Sequence, residues 1–159
     1  MQQPSDTQTM TDIFNNLRRV FQALNEQSKQ VEKLTSLTGP QLWAIQTIAR
    51  ESPVRVSLLA EKMFLHPATV VGILNRLEVR GLIVRNRTKR DRRVVEIELT
   101  ESGRTFAVGA PEVPQGKLAT GLNSLSASET AEIHRSLQRL VSILDAQDMK
   151  PVPITAPTP

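Results

Sequence analysis

A dense cluster of cationic side chains is the clearest chemical feature of this chain. Seven of its 20 Lys and Arg residues lie between Arg80 and Arg93, and the segment from Arg87 to Arg93 combines five cations with Thr88 and Asp91. Cations at this density bind anions, above all the phosphates of a nucleic acid. A solvated basic loop without a partner is the alternative interpretation of the same segment.

The excess of positive charge is confined to the middle of the chain. Residues 55–105 contain eleven basic and six acidic side chains, whereas residues 1–54 contain five of each and residues 106–159 contain four basic and five acidic ones. The net charge of +4 therefore arises in one region. This distribution predicts a local anionic partner rather than general solubility.

The sequence does not predict catalysis. It has no nucleophile with an adjacent base, no paired carboxylates and no glycine loop that would cradle a phosphate. The absence of Cys excludes disulfides and thiolate zinc sites. His66 fits a turn or cap better than a metal site, and His134 fits a surface position better than a catalytic base. We therefore expect neither an enzyme nor a bound metal or cofactor.

The sequence also contains no segment that predicts export or membrane insertion. The first twenty residues include Asp6 and Asp12 and contain no apolar run. No stretch approaches the roughly 18 apolar residues that a membrane-spanning helix needs. We therefore expect a cytoplasmic protein that does not contact a membrane.

The basic segment is predicted to form the tip of a β-hairpin, because residues 82–86 and 94–99 are short β-prone runs on either side of it. Two helices precede the hairpin. The second of them opens at His66-Pro67 and ends at Gly81, which is a typical left-handed cap. This order predicts a winged helix-turn-helix, in which one helix enters the major groove and a β-ribbon carries cations to nearby phosphates.

Long amphipathic helices are predicted at both ends of the chain. Apolar residues recur at three- and four-residue steps from Ile13 to Leu37, and the capping-box pattern Ser126-Ala127-Ser128-Glu129 opens the last helix. One small domain cannot cover both apolar stripes, so we expect a homodimer. The predicted dimerisation residues are Ile13, Leu17, Val20, Phe21, Leu24, Ile133, Leu137, Leu140, Val141 and Leu144.

The predicted fold is mainly α with a small β-hairpin wing. It forms one unit over residues 11–148, with a DNA-binding head at 40–103 and dimerisation helices at 11–38 and 104–148. Pro111 and Pro114 should kink or interrupt the helix that Thr100 caps. We expect residues 1–10 to be a frayed terminus and residues 149–159 to be a flexible Pro-rich tail.

From about Leu17 to Leu144 the sequence resembles the multiple-antibiotic-resistance-type (MarR) regulators. Its most specific feature is Asp91-x-Arg93 in the wing with Leu99-Thr100 six residues further on, before a helix start. The other matching segments are Leu59-Ala60-Glu61-Lys62-Met63, Pro67-Ala68-Thr69-Val70, Leu74-Asn75-Arg76-Leu77-Glu78 and Arg80-Gly81-Leu82-Ile83. Phe64 and Val71-Gly72 depart from the family pattern, in which Gly and polar residues are common at these positions.

The resemblance implies a two-fold dimer that reads a palindromic stretch of double-stranded DNA. Many members are repressors that a small, often phenolic, effector releases from DNA; the sequence does not identify the residues of an effector pocket. The resemblance also implies that Asp91 pairs with Arg93 and fixes its guanidinium for DNA. A winged-helix module that binds protein or RNA is the alternative function.

The predicted DNA contacts combine the reading helix with the wing. Thr69 lies in the first helical turn, where side chains approach base edges or phosphates. Arg76 could contact phosphate or pair with Glu78, and Gly72 could allow either close packing or close approach to the groove. Trp43 fits core packing better than an effector pocket. The full set is Pro67, Ala68, Thr69, Val70, Gly72, Arg76, Arg87, Lys89, Arg90, Asp91, Arg92 and Arg93.

Overall fold

The computed structural model describes residues 6–88 and 94–154 as seven helices and three strands. The predicted class, mainly α with a small β part, is confirmed. The elements are α1 (Asp6–Thr35), α2 (Gly39–Glu51), β1 (Val54–Arg55), α3 (Val56–Lys62), α4 (Pro67–Val79), β2 (Ile83–Arg87), β3 (Val95–Leu99), α5 (Glu101–Gly109), α6 (Pro114–Asn123) and α7 (Ala127–Ile143).

Helix α1 is longer at its start than the sequence analysis predicted. It begins at Asp6, so the prediction of a frayed segment over residues 1–10 is wrong from that residue onward. Residues 6–12 contain neither Gly nor Pro, and an acidic residue in the first turn interacts favourably with the helix dipole. The helix ends at Thr35, and Leu37, which we had assigned to its stripe, lies beyond it with its side chain completely buried in the core.

The head is built around α2. Pro40 occupies its first turn, and the Thr38 N–H donates to Gln41 Oε1 (3.0 Å), which satisfies a donor at the helix start. Apolar side chains of α2, α3, α4 and the sheet then close one core. Its largest fully buried members are Leu37, Leu42, Ile45, Ile48, Leu59, Met63, Leu74, Leu77, Ile83, Ile97, Val54 and Val70.

The three strands form one antiparallel sheet in the order β1-β3-β2. In the hairpin, Ile83 is opposite Leu99 and Arg85 is opposite Ile97. Strand β1 adds Val54 opposite Ile97 on the other side. This register buries the Val54 side chain, which is 1% exposed.

The turn between α3 and α4 contains a strained and exposed aromatic residue. Phe64 has φ 51° and is 69% exposed, and its N–H donates to Glu61 O (3.1 Å). The Leu65 N–H donates to Ala60 O (3.0 Å), so the turn closes α3 with a left-handed residue. This conformation favours Gly, because a Cβ there approaches the following carbonyl oxygen.

Replacing this residue with Gly should therefore stabilise the chain. We expect Phe64→Gly to raise the free energy of unfolding by about 1 kcal/mol, since it relieves backbone strain and removes an exposed aromatic side chain. Phe64→Ala is the control, because it removes the ring but keeps the Cβ. Urea denaturation would measure the free energy of unfolding of the parent and of both variants. A Phe64→Gly protein less stable than the Ala variant would contradict this account.

The second half of the chain is divided by prolines, as predicted. Thr100 caps α5 by accepting from the Gly103 N–H (3.0 Å), and α5 ends at Gly109, before Pro111. Pro114 then starts a separate helix, α6. The capping box is confirmed at the start of α7. There the Ser126 hydroxyl, and then its backbone N–H, donate to the Glu129 carboxylate and lower its pKa.

Within residues 6–88 and 94–154, no single helix is long and apolar enough to cross a membrane. Helices α3 and α4 would reach that length and composition only as a pair, across a bend of 106°.

Candidate nucleic-acid interface

Helix α4 presents one face to solvent beside the core of the head. Pro67, Ala68, Gly72 and Arg76 are exposed, and Thr69 is half-buried. The proposed reading residues therefore lie along an accessible surface over two turns. A Cβ at Gly72 would meet nothing within 4 Å, so packing within the chain does not require Gly there.

Val70 corrects the predicted site. Its side chain is completely buried, so it belongs to the core and is not available to DNA. The helical period places it on the same face as Ile73, Leu74 and Leu77, which are also buried. The family motif that includes Val70 combines exposed and buried residues, and we had not separated the two by the helical period.

The start of α4 is fixed by His66. Its Nδ1 accepts from the Ala68 N–H (3.2 Å), so this histidine is the N-cap, as its position before Pro67 suggested. The chain bends by 106° between α3 and α4, so the first turn of α4 lies beside the turn that contains the exposed Phe64.

The described part of the hairpin includes one exposed cation at the end of β2. Arg87 is exposed at the end of β2, opposite Val95, and the Thr88 N–H donates to Val94 O (3.0 Å). These contacts close the described part of the wing. Five predicted DNA-binding residues lie outside the described residues, namely Lys89, Arg90, Asp91, Arg92 and Arg93.

A side-chain network that sequence reasoning missed joins this hairpin to α4. Arg85 of β2 reaches Glu78 Oε2 with Nη1 (3.0 Å) and Asn75 Oδ1 with Nη2 (2.7 Å). Both partners lie on α4, so one guanidinium holds the wing against the reading helix. We had considered Arg76 as a partner of Glu78. Among the described residues, Glu78 pairs instead with Arg85, and the Arg76 guanidinium has no partner.

Not every cation in the basic cluster is available to a ligand. Arg80 Nη1 donates to Ser36 O (2.6 Å) in the turn between α1 and α2, and Arg85 is held as described above. Arg76 and Arg87 are exposed. The described part of the cluster therefore combines two structural arginines, Arg80 and Arg85, with one that faces solvent, Arg87, while Arg76 lies outside the cluster on α4.

The terminal helices carry the predicted apolar stripe on their surface. Helix α7 has no buried residue and packs extensively against none of the other described elements, and α1 buries only Ser28 and Val31. Leu17, Leu24 and Leu140 are half-buried. The remaining residues of the predicted set are exposed to between 39% and 73%, namely Ile13, Val20, Phe21, Ile133, Leu137, Val141 and Leu144.

A helix-turn-helix followed directly by an antiparallel hairpin defines the winged-helix class. The model of the MarR family matches residues 37–95, which covers the head from the start of α2 to the start of β3. The transcriptional regulator MgrA of Staphylococcus aureus is 34% identical over 120 residues, which are 74% of this chain and 79% of MgrA. The chain belongs to the MarR family. It is thus a transcriptional regulator and not an enzyme.

Two further proteins support this assignment. The transcriptional repressor MdtR of Bacillus subtilis is 31% identical over 99 residues, which are 62% of this chain and 64% of MdtR. The structure of Streptococcus pneumoniae FabT in complex with DNA matches with a TM-score of 0.51 and 25% identity, over 91% of this chain and 96% of that chain.

Proposed function

We propose that this regulator binds double-stranded DNA as a homodimer, reads a palindromic operator and represses transcription until a small-molecule effector releases it. The observation that carries the proposal is the exposed face of α4 beside a basic hairpin that Arg85 holds in place. A helix of this kind fits the major groove, while the hairpin brings cations to the flanking phosphates. Its partner would be chromosomal DNA, so we propose that it works in the cytoplasm.

The dimer is supported by the apolar stripe of the terminal helices. Leu137 on α7 and Leu144 at its C-cap are 56% and 73% exposed, and Phe21 on α1 is 61% exposed. Pairing two copies through these helices would bury the stripe and place two reading helices on one side of the DNA. Half-site centres of such dimers lie about 10 base pairs apart.

Repression is proposed from the name of a relative, and effector release from a cleft in the head. MdtR, one of the relatives, is named as a repressor. A cleft of about 340 Å³ lies where α2 of the head meets α5, and Gln46, Ala49, Arg50, Ala107, Ala110 and Glu112 line it. We propose this cleft as the effector site. Trp43 lies elsewhere, packed against the core beside Gly116, which supports its interpretation as a packing residue.

The salt dependence of binding tests the proposed function. If three or four cations of each subunit contact phosphate, six to eight contacts for each dimer give a slope of log affinity against log salt of about −5 to −7. Fluorescence anisotropy with a palindromic duplex would measure it. A slope shallower than about −2, or equal affinity for RNA, would contradict the proposal and favour the alternative of a protein- or RNA-binding module.

Single-charge variants sharpen this test. Arg87→Gln removes one exposed cation from each hairpin, so the slope should become shallower by about 2 for the dimer. Lys117→Gln on α6 is the matched control, because it removes the same charge far from α4 and the hairpin. Its slope should equal that of the parent.

A further inference from the structure

A buried glutamine side chain contacts the C-terminal segment of the chain. Gln115 lies in the first turn of α6 and is 7% exposed. Its Nε2 donates to Ile154 O (2.7 Å), 39 residues further along the chain. Ile154 belongs to the segment that we predicted to be a flexible tail, and its carbonyl contacts the start of α6.

The amide of Gln115 is held in a fixed place by its surroundings. A Cβ at Gly39 would lie 3.1 Å from Nε2 and 3.2 Å from Oε1, so the amide packs directly on the backbone at the start of α2. Oε1 has no hydrogen-bond partner among the described residues. A buried amide oxygen without a hydrogen-bond partner costs folding free energy, because it has lost its contact with water and gained none in return.

The chemistry of this site matches an extended peptide backbone. A primary amide offers a donor for a peptide carbonyl and an acceptor for a peptide N–H. Pro151 and Pro153 fix their own φ angles and favour an extended chain, so residues 150–154 lose little conformational freedom when they dock.

We propose that the junction of α2 and α6 is a binding site for an extended peptide, and that residues 150–154 of the same chain are its occupant. The occupant links three parts of the molecule. It follows α7 in the chain, and its Ile154 carbonyl contacts the α6 side chain that packs on Gly39 of α2. The docked segment thus ties the terminal helices to the head, independently of any contact with DNA.

The backbone order of Ile154 in the full-length chain tests this proposal. ¹⁵N relaxation should give its amide an order parameter near that of rigid backbone, roughly 0.85. Gln115→Met, which keeps the side-chain length and removes the amide, should lower the value below about 0.6. Gln46→Met is the matched control. Gln46 is also a partly buried glutamine that donates to a backbone carbonyl, Pro111 O (2.8 Å), and its loss should leave Ile154 ordered.

Three results would overturn the proposal. An Ile154 amide that is already below about 0.6 in the parent chain would mean that the segment does not dock, even if no variant can be purified. An unchanged value in Gln115→Met would mean that the amide is not the receptor. Cross-peaks between Gln115 and Ile154 found only between differently labelled chains would mean that the occupant comes from a second copy.

Discussion

Gly103→Ala should destabilise the chain by about 3 kcal/mol or more, the largest effect that we expect from removing or adding a single methyl group. A Cβ at Gly103 would lie 2.0 Å from Leu82 O, 3.0 Å from Leu82 C and 3.3 Å from Leu99 Cβ. The carbonyl cannot move away cheaply, because it accepts the Thr100 N–H (3.1 Å) that joins the wing to α5. Thermal and urea denaturation would measure the loss.

Gly121→Ala is the matched control for this substitution. Gly121 is also helical, but a Cβ there would meet nothing within 4 Å. Ala has the higher helix propensity, so this variant should be as stable as the parent or more stable by up to about 1 kcal/mol. Equal stability of the two variants would show that the contact between α5 and Leu82 does not constrain the fold.

Leu137→Glu should abolish operator binding while leaving the protomer folded. In the single chain Leu137 is 56% exposed and α7 has no buried residue, so the charge costs the protomer little. In the proposed dimer the substituted side chain of each subunit would be buried without a partner for its carboxylate. This would cost several kcal/mol of dimerisation free energy for each carboxylate. We expect monomers in sedimentation and an affinity for the operator at least about a hundredfold weaker.

Gln138→Glu controls for the added charge, because it lies next to Leu137 on α7 but is a polar, exposed position outside the predicted stripe. It should remain dimeric and bind DNA within about twofold of the parent. A Leu137→Glu protein that stays dimeric would refute α7 as the dimerisation helix. One that is monomeric but binds the operator with full affinity would refute the need for a dimer.

The sequence predicted most of the head because local chemistry determines it. Pro40 and Pro67 open helices by pre-setting φ, and Gly81 ends one at φ 69°. The hairpin followed from two short β-prone runs on either side of a polar segment. Each of these signals operates within a few residues, so they could be read without knowing the tertiary structure.

Contacts between residues distant in sequence could not be predicted in the same way. The bond from Gln115 to Ile154 and the position of Gly103 under Leu82 O depend on how whole elements pack. The sequence indicated the ion pair between Arg85 and Glu78 only weakly. Alternation in β2 places Arg85 on the same face as the buried Ile83, and thus on the side of the core. Val70 was predicted to contact DNA because a sequence motif does not distinguish the exposed residues in it from the buried ones.

Selection of DNA from a random duplex pool tests the central proposal most directly. The purified full-length protein should enrich an inverted repeat, with half-site centres about 10 base pairs apart. That result would demonstrate sequence-specific binding and two-fold symmetry in one measurement. Recovery of sequences without an inverted repeat, or no enrichment at low salt, would contradict a homodimer that reads DNA with α4.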